Sequence, residues 1–541
     1  MHAETASSAA ADRSARYVLA FDLGSGSIKA AIVSDGGTVL ACAAEPIITQ
    51  MLPQGGAEQD PEQWWESALR TGRQAILKSG VPPEHIIAVA CDSQWSLAVP
   101  VDAACKPLIN AIHWLDTRGG IYNRRLTGGF PTVKGYNLFR LARFIRLTGL
   151  APSQSGVDSL GHVLFIKHEL PEVYRKTYKF LEPMDFLTAR LTGRITATQK
   201  SMAIFMITDN RRWDNRGYSD KLLRETGLDR DKFPELIANN GIVGTLTPDV
   251  ADSLGLPAAT RVVAGISDSN ASLIGSGAVN DFDAIIYIGT SQYLTFHVPY
   301  KKTNIFYLMT SLPSPFPGRY YLLGEQGVGG KCLEVFLRQM VYADDGFETG
   351  GLPPDAHARF NRMAGEAPAG SEGLVFLPWL NGSIVPDEDS FVRAGFMNIS
   401  LHTQRRHMAR AIMEGLAYNN RWTSEAAEKY IKQPIGSFRF SGGGAMSDLW
   451  AQIHADVLNV PVHQVADPVN TTVRGCALMA LVALGKLKAM DIPEIIRTHR
   501  VYTPDSANRT TYDNLYTQYR RLFKKNRSIF RSLNQSLASR K

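Results

Sequence analysis

Residues 17–29 read YVLAFDLGSGSIK, and they constrain the fold more than any other stretch. An apolar run ends at Asp22, a glycine-rich turn follows, and the apolar run resumes at Ile28. Strand, glycine turn, strand is a hairpin. It excludes a dinucleotide-binding entry, in which a helix follows the turn and a third glycine stands where this chain has Lys29. The pattern returns at residues 284–296, AIIYIGTSQYLTF. Two such hairpins, one in each half, imply an internal duplication. At 541 residues the chain is also too long for one hydrophobic core. The expected class is α/β, with two domains of similar design facing a central cleft.

The remaining pattern fills in those domains. A third strand is expected at 38–43. A helix starts at Pro61, with Trp64, Trp65, Ala68 and Leu69 at helical spacing. Residues 86–91 read as a buried strand and 97–101 as the second arm of a hairpin. A helix beginning at Phe186 ends at Gly193. Residues 244–260, with Pro248, Gly255 and Pro257, read as a boundary linker. A long helix is expected at 403–429, and a strand–glycine–helix unit at 438–458. The divisions are a disordered N-terminal tail at 1–16, one domain at 17–257, a second at 258–500, and a C-terminal helix and basic tail at 501–541.

Composition narrows the function class. Hydrophobic content of 44% and charged content of 20% suit a soluble globular protein. No apolar run approaches the roughly 20 residues that span a bilayer, and the first residues lack the apolar core of a signal peptide. Five cysteines with no CxxC pair fit a reducing, cytoplasmic setting and free thiols. The net charge of +7 raises nucleic acid as a partner, but much of the excess sits at Arg520, Arg521, Lys524, Lys525, Arg527, Arg531, Arg540 and Lys541. That placement reads as a solvated C-terminal helix, with no nucleic acid or membrane partner.

Five stretches carry chemistry. In the first turn, Gly24 lets backbone N–H groups approach a phosphate, Ser25 and Ser27 add hydroxyl donors, and Lys29 adds charge. Asp22, at a strand end, suits Mg²⁺ held through water. Asp268, at another strand end in GISDSN, suits a base that takes a hydroxyl proton. The second turn supplies Gly289 and Thr290. The run SGGGAMSDLW supplies Gly443, Gly444, Ser447 and Asp448 between a strand and a helix, where a flat ring can lie against backbone. Gln94, Trp95, Trp114 and the Asp116–Arg118 pair are a sugar-binding kit. Residues 329–332, GGKC, fail as a P-loop, because Glu325 stands where glycine is required and Cys332 where Ser or Thr is.

Together these stretches resemble the FGGY family of carbohydrate kinases, over about residues 17–519. Further matches are GAEQDPEQWW from Gly56, AIHWLDTR from Ala111, AGISD from Ala264, LPWLNG from Leu377, RAIMEG from Arg410 and GGAMSDLWAQI from Gly443. The resemblance implies two RNase H-like domains of the actin/hexokinase/Hsp70 ATPase type. It implies ATP and Mg²⁺, with Asp22, Gly24, Ser25, Ser27 and Lys29 as the phosphate and metal loop. Asp268 would be the base, Gly289 and Thr290 would meet the γ-phosphate, and Gly443, Gly444, Ser447 and Asp448 the adenosine. Gln94, Trp95, Trp114, Asp268, Ser269 and Tyr293 would line the sugar site. Within the family the chain is most similar to xylulokinase-like pentulose kinases, which implies D-xylulose as substrate and xylulose 5-phosphate as product. The family includes homodimers.

Four departures bear on substrate. Ser269 replaces the usual Asn or Gln, Ser383-Ile384-Val385 precede Pro386 where Glu-Arg is common, the segment 162–171 lacks a tryptophan, and Arg474 replaces a small or apolar residue. Glycerol is disfavoured, because Trp95-Ser96 stand where glycerol kinases carry Arg-Glu. Ribulose, tetritols and other polyols stay open. So does a non-catalytic ATP-binding regulator on the same scaffold, although retention of Asp22 and Asp268 argues against it. An Hsp70-like ATPase would need a peptide-binding domain, for which the stretch after Leu487 is too short.

Overall fold

The computed structural model describes residues 16–345 and 350–538. Most of the expected N-terminal tail lies outside the described residues.

The first sheet is built from β1 (Tyr17–Leu23), β2 (Ser27–Ser34), β3 (Val39–Pro46), β4 (Ile86–Ser93), β5 (Ile242–Thr245), β6 (Arg261–Val263) and β7 (Ile266–Ser267). Its order is β5-β6-β4-β1-β2-β3, with β7 also on β4. The antiparallel hairpin β1–β2 extends to β3, while β4 and β6 run parallel to β1. The second sheet holds β8 (Ala284–Ile288), β9 (Ser291–Val298), β10 (Thr303–Asn304), β11 (Met309–Pro313), β12 (Tyr320–Val328), β13 (Phe438–Ser441), β14 (Val462–Val465) and β15 (Thr498–Tyr502). Its order is β10-β11-β12-β9-β8-β13-β14-β15. Three antiparallel strands followed by parallel ones recur in both sheets, as an internal duplication requires.

Strand alternation divides the first sheet between two cores. Tyr17, Leu19 and Phe21 face α1 (Pro61–Ser79), whose Trp64, Trp65 and Ala68 pack on them. Asp60 caps that helix by accepting the Glu62 N–H at 2.9 Å, and Gly80 ends it at φ 64°. Val18 and Ala20 of β1, with Ala88 and Ala90 of β4, form the other face, which is small enough for helices to come close.

Those helices are α5 (Asp268–Gly275) and α8 (Thr471–Ala483); the first half also carries α2 (Gly120–Thr127), α3 (Leu138–Thr148) and α4 (Asp220–Thr226), and the second α6 (Arg405–Ile431), α7 (Asp448–Leu458) and α9 (Arg509–Ala538). Helix α8 is buried from Thr471 through Leu481. A Cβ on Gly275 would stand 1.8 Å from the Thr471 carbonyl oxygen, and one on Gly475 1.8 Å from that of Ala271. The two backbones therefore touch, and only glycine permits it. Arg474 locks the crossing, donating to the carbonyls of Gly275 (3.3 Å), Ala466 (3.1 Å) and Asp467 (2.9 Å).

The divisions drawn from sequence shift. The first sheet continues past 257, through β6 and β7, because β4 needs partners on its outer edge. The stretch 244–260 is no linker: it includes the end of β5 and a helix, Pro248–Leu254, that buries Val250, Ala251 and Leu254. The strand Val99–Val101 pairs with Lys179–Leu181 and forms no hairpin with β4. In the second half, the boundary at 500 cuts β15. Helix α9 is not a solvated appendage. Tyr512, Tyr516, Tyr519 and Phe523 recur at helical spacing and are all buried in the second core. The Tyr519 hydroxyl donates to Asn419 Oδ1 at 3.0 Å, and Arg527 Nε donates to Asp389 Oδ2 at 2.8 Å. Arg520, Arg527 and Arg531 of that basic stretch thus make cation–π contacts with rings of the second half, Arg520 covering Trp422 at 4.5 Å.

Candidate active site

Three strands of the first sheet bring a row of charges to its cleft face. In register, Lys29 of β2 lies beside Asp22 of β1, and Asp22 beside Asp92 of β4. Asp22 continues the Val18–Ala20 face, so it points at α8, where its Oδ2 accepts the Thr472 hydroxyl at 2.6 Å. Asp92 is fully buried with neither carboxylate oxygen hydrogen-bonded. Burial, and then the charges of Asp22 and Asp268, push its pKa well above the usual carboxylate range.

Asp268 is the first residue of α5, directly after β7. Ser267 caps the helix, and the Ser269 N–H donates to Asp268 Oδ1 at 2.6 Å. The residue keeps some surface in the cleft, but its carboxyl is enclosed. Burial and the charge of Asp22 raise it to about 7, against the opposing Ser269 hydrogen bond. A carboxyl held there can both take and return a proton near neutrality.

The first turn is ordered by its own backbone: Gly24 N–H donates to Ser27 O at 2.9 Å. Ser25 Oγ accepts the Trp114 indole N–H at 3.0 Å, and Gln59 Nε2 donates to Ser25 O at 2.9 Å. Ser27 is exposed. Lys29 Nζ donates to the Val469 carbonyl at 3.0 Å, which ties the loop to the segment before α8. The second turn, Gly289 and Thr290, is braced by the rejected P-loop segment: Gly330 N–H donates to Gly289 O at 2.8 Å and Gly329 N–H to Thr290 O at 2.9 Å.

The duplication exposes a residue that motif reading passed over. Asp22-Leu23-Gly24-Ser25 in the first hairpin corresponds to Tyr287-Ile288-Gly289-Thr290 in the second. Tyr287 therefore occupies the place of Asp22, and the two face one site. Its ring stacks on Tyr293 (centroids 4.7 Å apart, planes at 9°) and lies against both Gly289 and Gly442. Its hydroxyl makes no hydrogen bond among the described residues. Burial, then the charges of Asp22, Asp268 and Asp92, raise its pKa, so it stays a neutral donor. Tyr293 itself is buried and hydrogen-bonded to Ser272 Oγ at 2.8 Å, so its hydroxyl is already engaged. Glu325, paired with Tyr293 across β9 and β12, is raised to about 8 by burial and the charge of Asp268.

In the third loop Gly443 is exposed and Gly444 buried. Ser447 caps α7, accepting the Trp450 N–H at 3.1 Å, and its hydroxyl donates to Asn361 Oδ1 at 2.7 Å. Its side chain therefore shapes the loop and has no donor to spare. Asp448 is exposed, and its carboxyl is held low by hydrogen bonds from Tyr502 and then Gln464.

On the opposite wall Gln94 is buried, with its amide spent on Gln59 (2.7 Å) and His113 (3.0 Å). These two bonds fix the orientation of its amide. Trp95 donates to Ser201 O at 3.2 Å. It packs with Lys200, Ser201, Asn270 and Tyr321 around a spot that has no room for a water molecule. Ser269 is buried, its hydroxyl 3.1 Å from that of Ser267. Asn270 Oδ1 is buried with no hydrogen-bond partner, and Lys200 Nζ donates to Gly265 O at 2.5 Å, three residues before Asp268. Burial lowers the Lys200 pKa, and the charge of Asp185 opposes that.

The profile for the N-terminal domain of the FGGY family of carbohydrate kinases matches residues 17–275, and that for the C-terminal domain matches 284–484. The chain belongs to the FGGY family of carbohydrate kinases. It is an ATP-dependent sugar kinase with the two-domain actin/hexokinase-like ATPase fold. A xylulose kinase of Staphylococcus epidermidis is 26% identical over 517 residues, covering 95% of this chain and 97% of the relative. A gluconokinase of Bacillus subtilis is 24% identical, covering 91% and 93%. The crystal structure of xylulose kinase from Rhodospirillum rubrum superposes with a TM-score of 0.79 at 25% identity, covering 95% of this chain and all of that one (100%). Among the described residues, no helix is long and apolar enough to cross a membrane.

Proposed function

We propose that this kinase phosphorylates D-xylulose, with Asp268 as the base and Asp22 at the metal. The observation that carries the reading is the placement of Asp268. It opens α5 directly after β7, and burial and the neighbouring charge of Asp22 raise its carboxyl to about 7. The relatives named xylulose kinase support the substrate.

Among the described residues no group of three or more acidic, His or Cys side chains could hold a metal alone. That suits Mg²⁺, which is usually held by one or two carboxylates plus substrate phosphates. Asp22, half-exposed and hydrogen-bonded through only one oxygen, fits that role. The metal would neutralise charge on the nucleotide phosphates.

Asp268 accepts the proton as the sugar hydroxyl attacks the γ-phosphoryl group, and ADP leaves. Backbone N–H groups of the turns at Gly24 and Gly289 cradle the phosphates, and Thr290 adds a hydroxyl. The Tyr287 hydroxyl, which makes no hydrogen bond among the described residues, donates to the transferring phosphoryl group. Loose phosphoryl transfer gains most from such positioning and charge placement. Gly443, Gly444 and Asp448 receive the adenosine. Trp95, Trp114, Ser269 and Asn270 border the sugar, and Glu325, protonated at neutral pH, donates to it.

A comparison of kcat/KM for D-xylulose, D-ribulose, glycerol and D-gluconate tests the substrate. D-xylulose should lead by at least about tenfold, or 1.4 kcal/mol of transition-state binding. D-gluconate leading instead would transfer the assignment to the gluconokinase relatives. No stimulation of ADP release by any of them would favour the regulator.

A further inference from the structure

We infer that the first half carries a second ligand site, for a small molecule with two or more phosphate groups. Helices α2, α3 and α4 converge on an open cavity of about 550 Å³, lined by Arg125, Arg140, Arg143, Lys221 and Arg224 with one carboxylate, Glu225. None of the residues of the phosphoryl-transfer cleft lines it.

Structural duties account for only two of the five cations. Arg143 Nη1 pairs with Glu225 at 2.5 Å, which spends the carboxylate. Arg140 Nη1 donates to the Leu126 carbonyl at 2.6 Å and joins α3 to the end of α2, but no carboxylate offsets its charge. Among the described residues, the Arg125 side chain has only the Tyr122 ring, 5.7 Å away. Lys221 and Arg224 are exposed on α4, and their side chains make no hydrogen bond or ion pair among the described residues. Like charges that line one cavity repel, and no carboxylate among the described residues pairs with Arg125, Arg140, Lys221 or Arg224. A bound anion offsets that repulsion.

Shape and charge together select the ligand. A cavity of this volume matches a small metabolite. The guanidinium groups offer planar forks suited to phosphate oxygens. The cations ring a concavity and form no extended stripe along a helix, as a nucleic-acid track would require. A single phosphate would leave most of them unpaired, so two or more phosphates are needed.

The test uses the full-length protein and inorganic pyrophosphate, without ATP, by calorimetry at two ionic strengths. Wild type should bind, more weakly at the higher salt. The double variant Lys221→Glu/Arg224→Glu, at exposed positions away from the catalytic machinery, should lose at least about tenfold in affinity, that is 1.4 kcal/mol. Its sugar kinase kcat/KM should stay at the wild-type value, so the outcome is separate from the kinase assignment. Equal pyrophosphate affinity in the double variant would overturn the site by placing the anion elsewhere. So would absence of binding, or binding to anionic phospholipid vesicles without pyrophosphate binding, which would make the surface a membrane contact.

Discussion

Asp22 Oδ2 accepts a 2.6 Å hydrogen bond from the Thr472 hydroxyl, across 450 positions of sequence. The first hairpin and the start of α8 are thereby joined at the carboxylate proposed to hold the metal. Thr472→Val should remove that bond and lower stability by about 1–2 kcal/mol, the net value of a hydrogen bond to a charged group in a half-buried setting. Chemical denaturation measures this. A several-fold rise in KM for MgATP, with KM for the sugar unchanged, should accompany it.

The raised carboxyl of Asp268 sets a pH dependence. A base must be ionised, so kcat/KM should climb about tenfold per pH unit below 7 and level off above it, with a midpoint near the folded value of about 7. Stability runs the other way. The folded value lies above the ordinary carboxylate value, so this carboxyl binds its proton more tightly in the folded state. Its contribution is present at low pH and is lost as pH rises toward and through 7. Asp268→Asn should therefore melt above wild type at pH 8, and the gap should shrink toward pH 4, as calorimetry at the two values would show.

Tyr287→Phe keeps the stacked ring and removes only the hydroxyl. If that hydroxyl donates to the moving phosphoryl group, kcat should fall by about 10–100-fold, or 1.4–2.7 kcal/mol, within the range for hydrogen bonds to charged groups. KM for ATP should move little, and steady-state kinetics separate the two.

The crossing of α5 and α8 tolerates no side chain. Gly475→Ala would drive a Cβ to 1.8 Å from the Ala271 carbonyl. The loss should be about 2–3 kcal/mol in urea unfolding, despite the ~1 kcal/mol that alanine gains in helix propensity.

Legibility in the sequence followed locality. The paired hairpins, the position of Asp268 at a strand end and the glycine loop at 443–444 are contiguous signals, and the chain could be read from them. Tyr287 was hidden because its meaning depends on its correspondence to Asp22, which appears only when the two sheets are compared. Asp92 and Glu325 gain their importance from register across strands, Asp22 beside Asp92 and Tyr293 beside Glu325. Lys200 became relevant only when its ammonium was found on Gly265, just ahead of Asp268. The basic C-terminal stretch misled for the opposite reason: its charges are dense in sequence, but Tyr512, Tyr516, Tyr519 and Phe523 decide the packing. Arg474, an oddity in the motif, holds the helix crossing by donating to three carbonyls.

The most direct test of the account is ADP release from MgATP by wild type and Asp268→Asn, with and without D-xylulose. The account predicts xylulose-dependent ADP release by wild type. It predicts a drop of at least about 100-fold in the near-isosteric variant, the usual range for removing a general base, with ATP binding retained. An Asp268→Asn enzyme that turns over at the wild-type rate would contradict it.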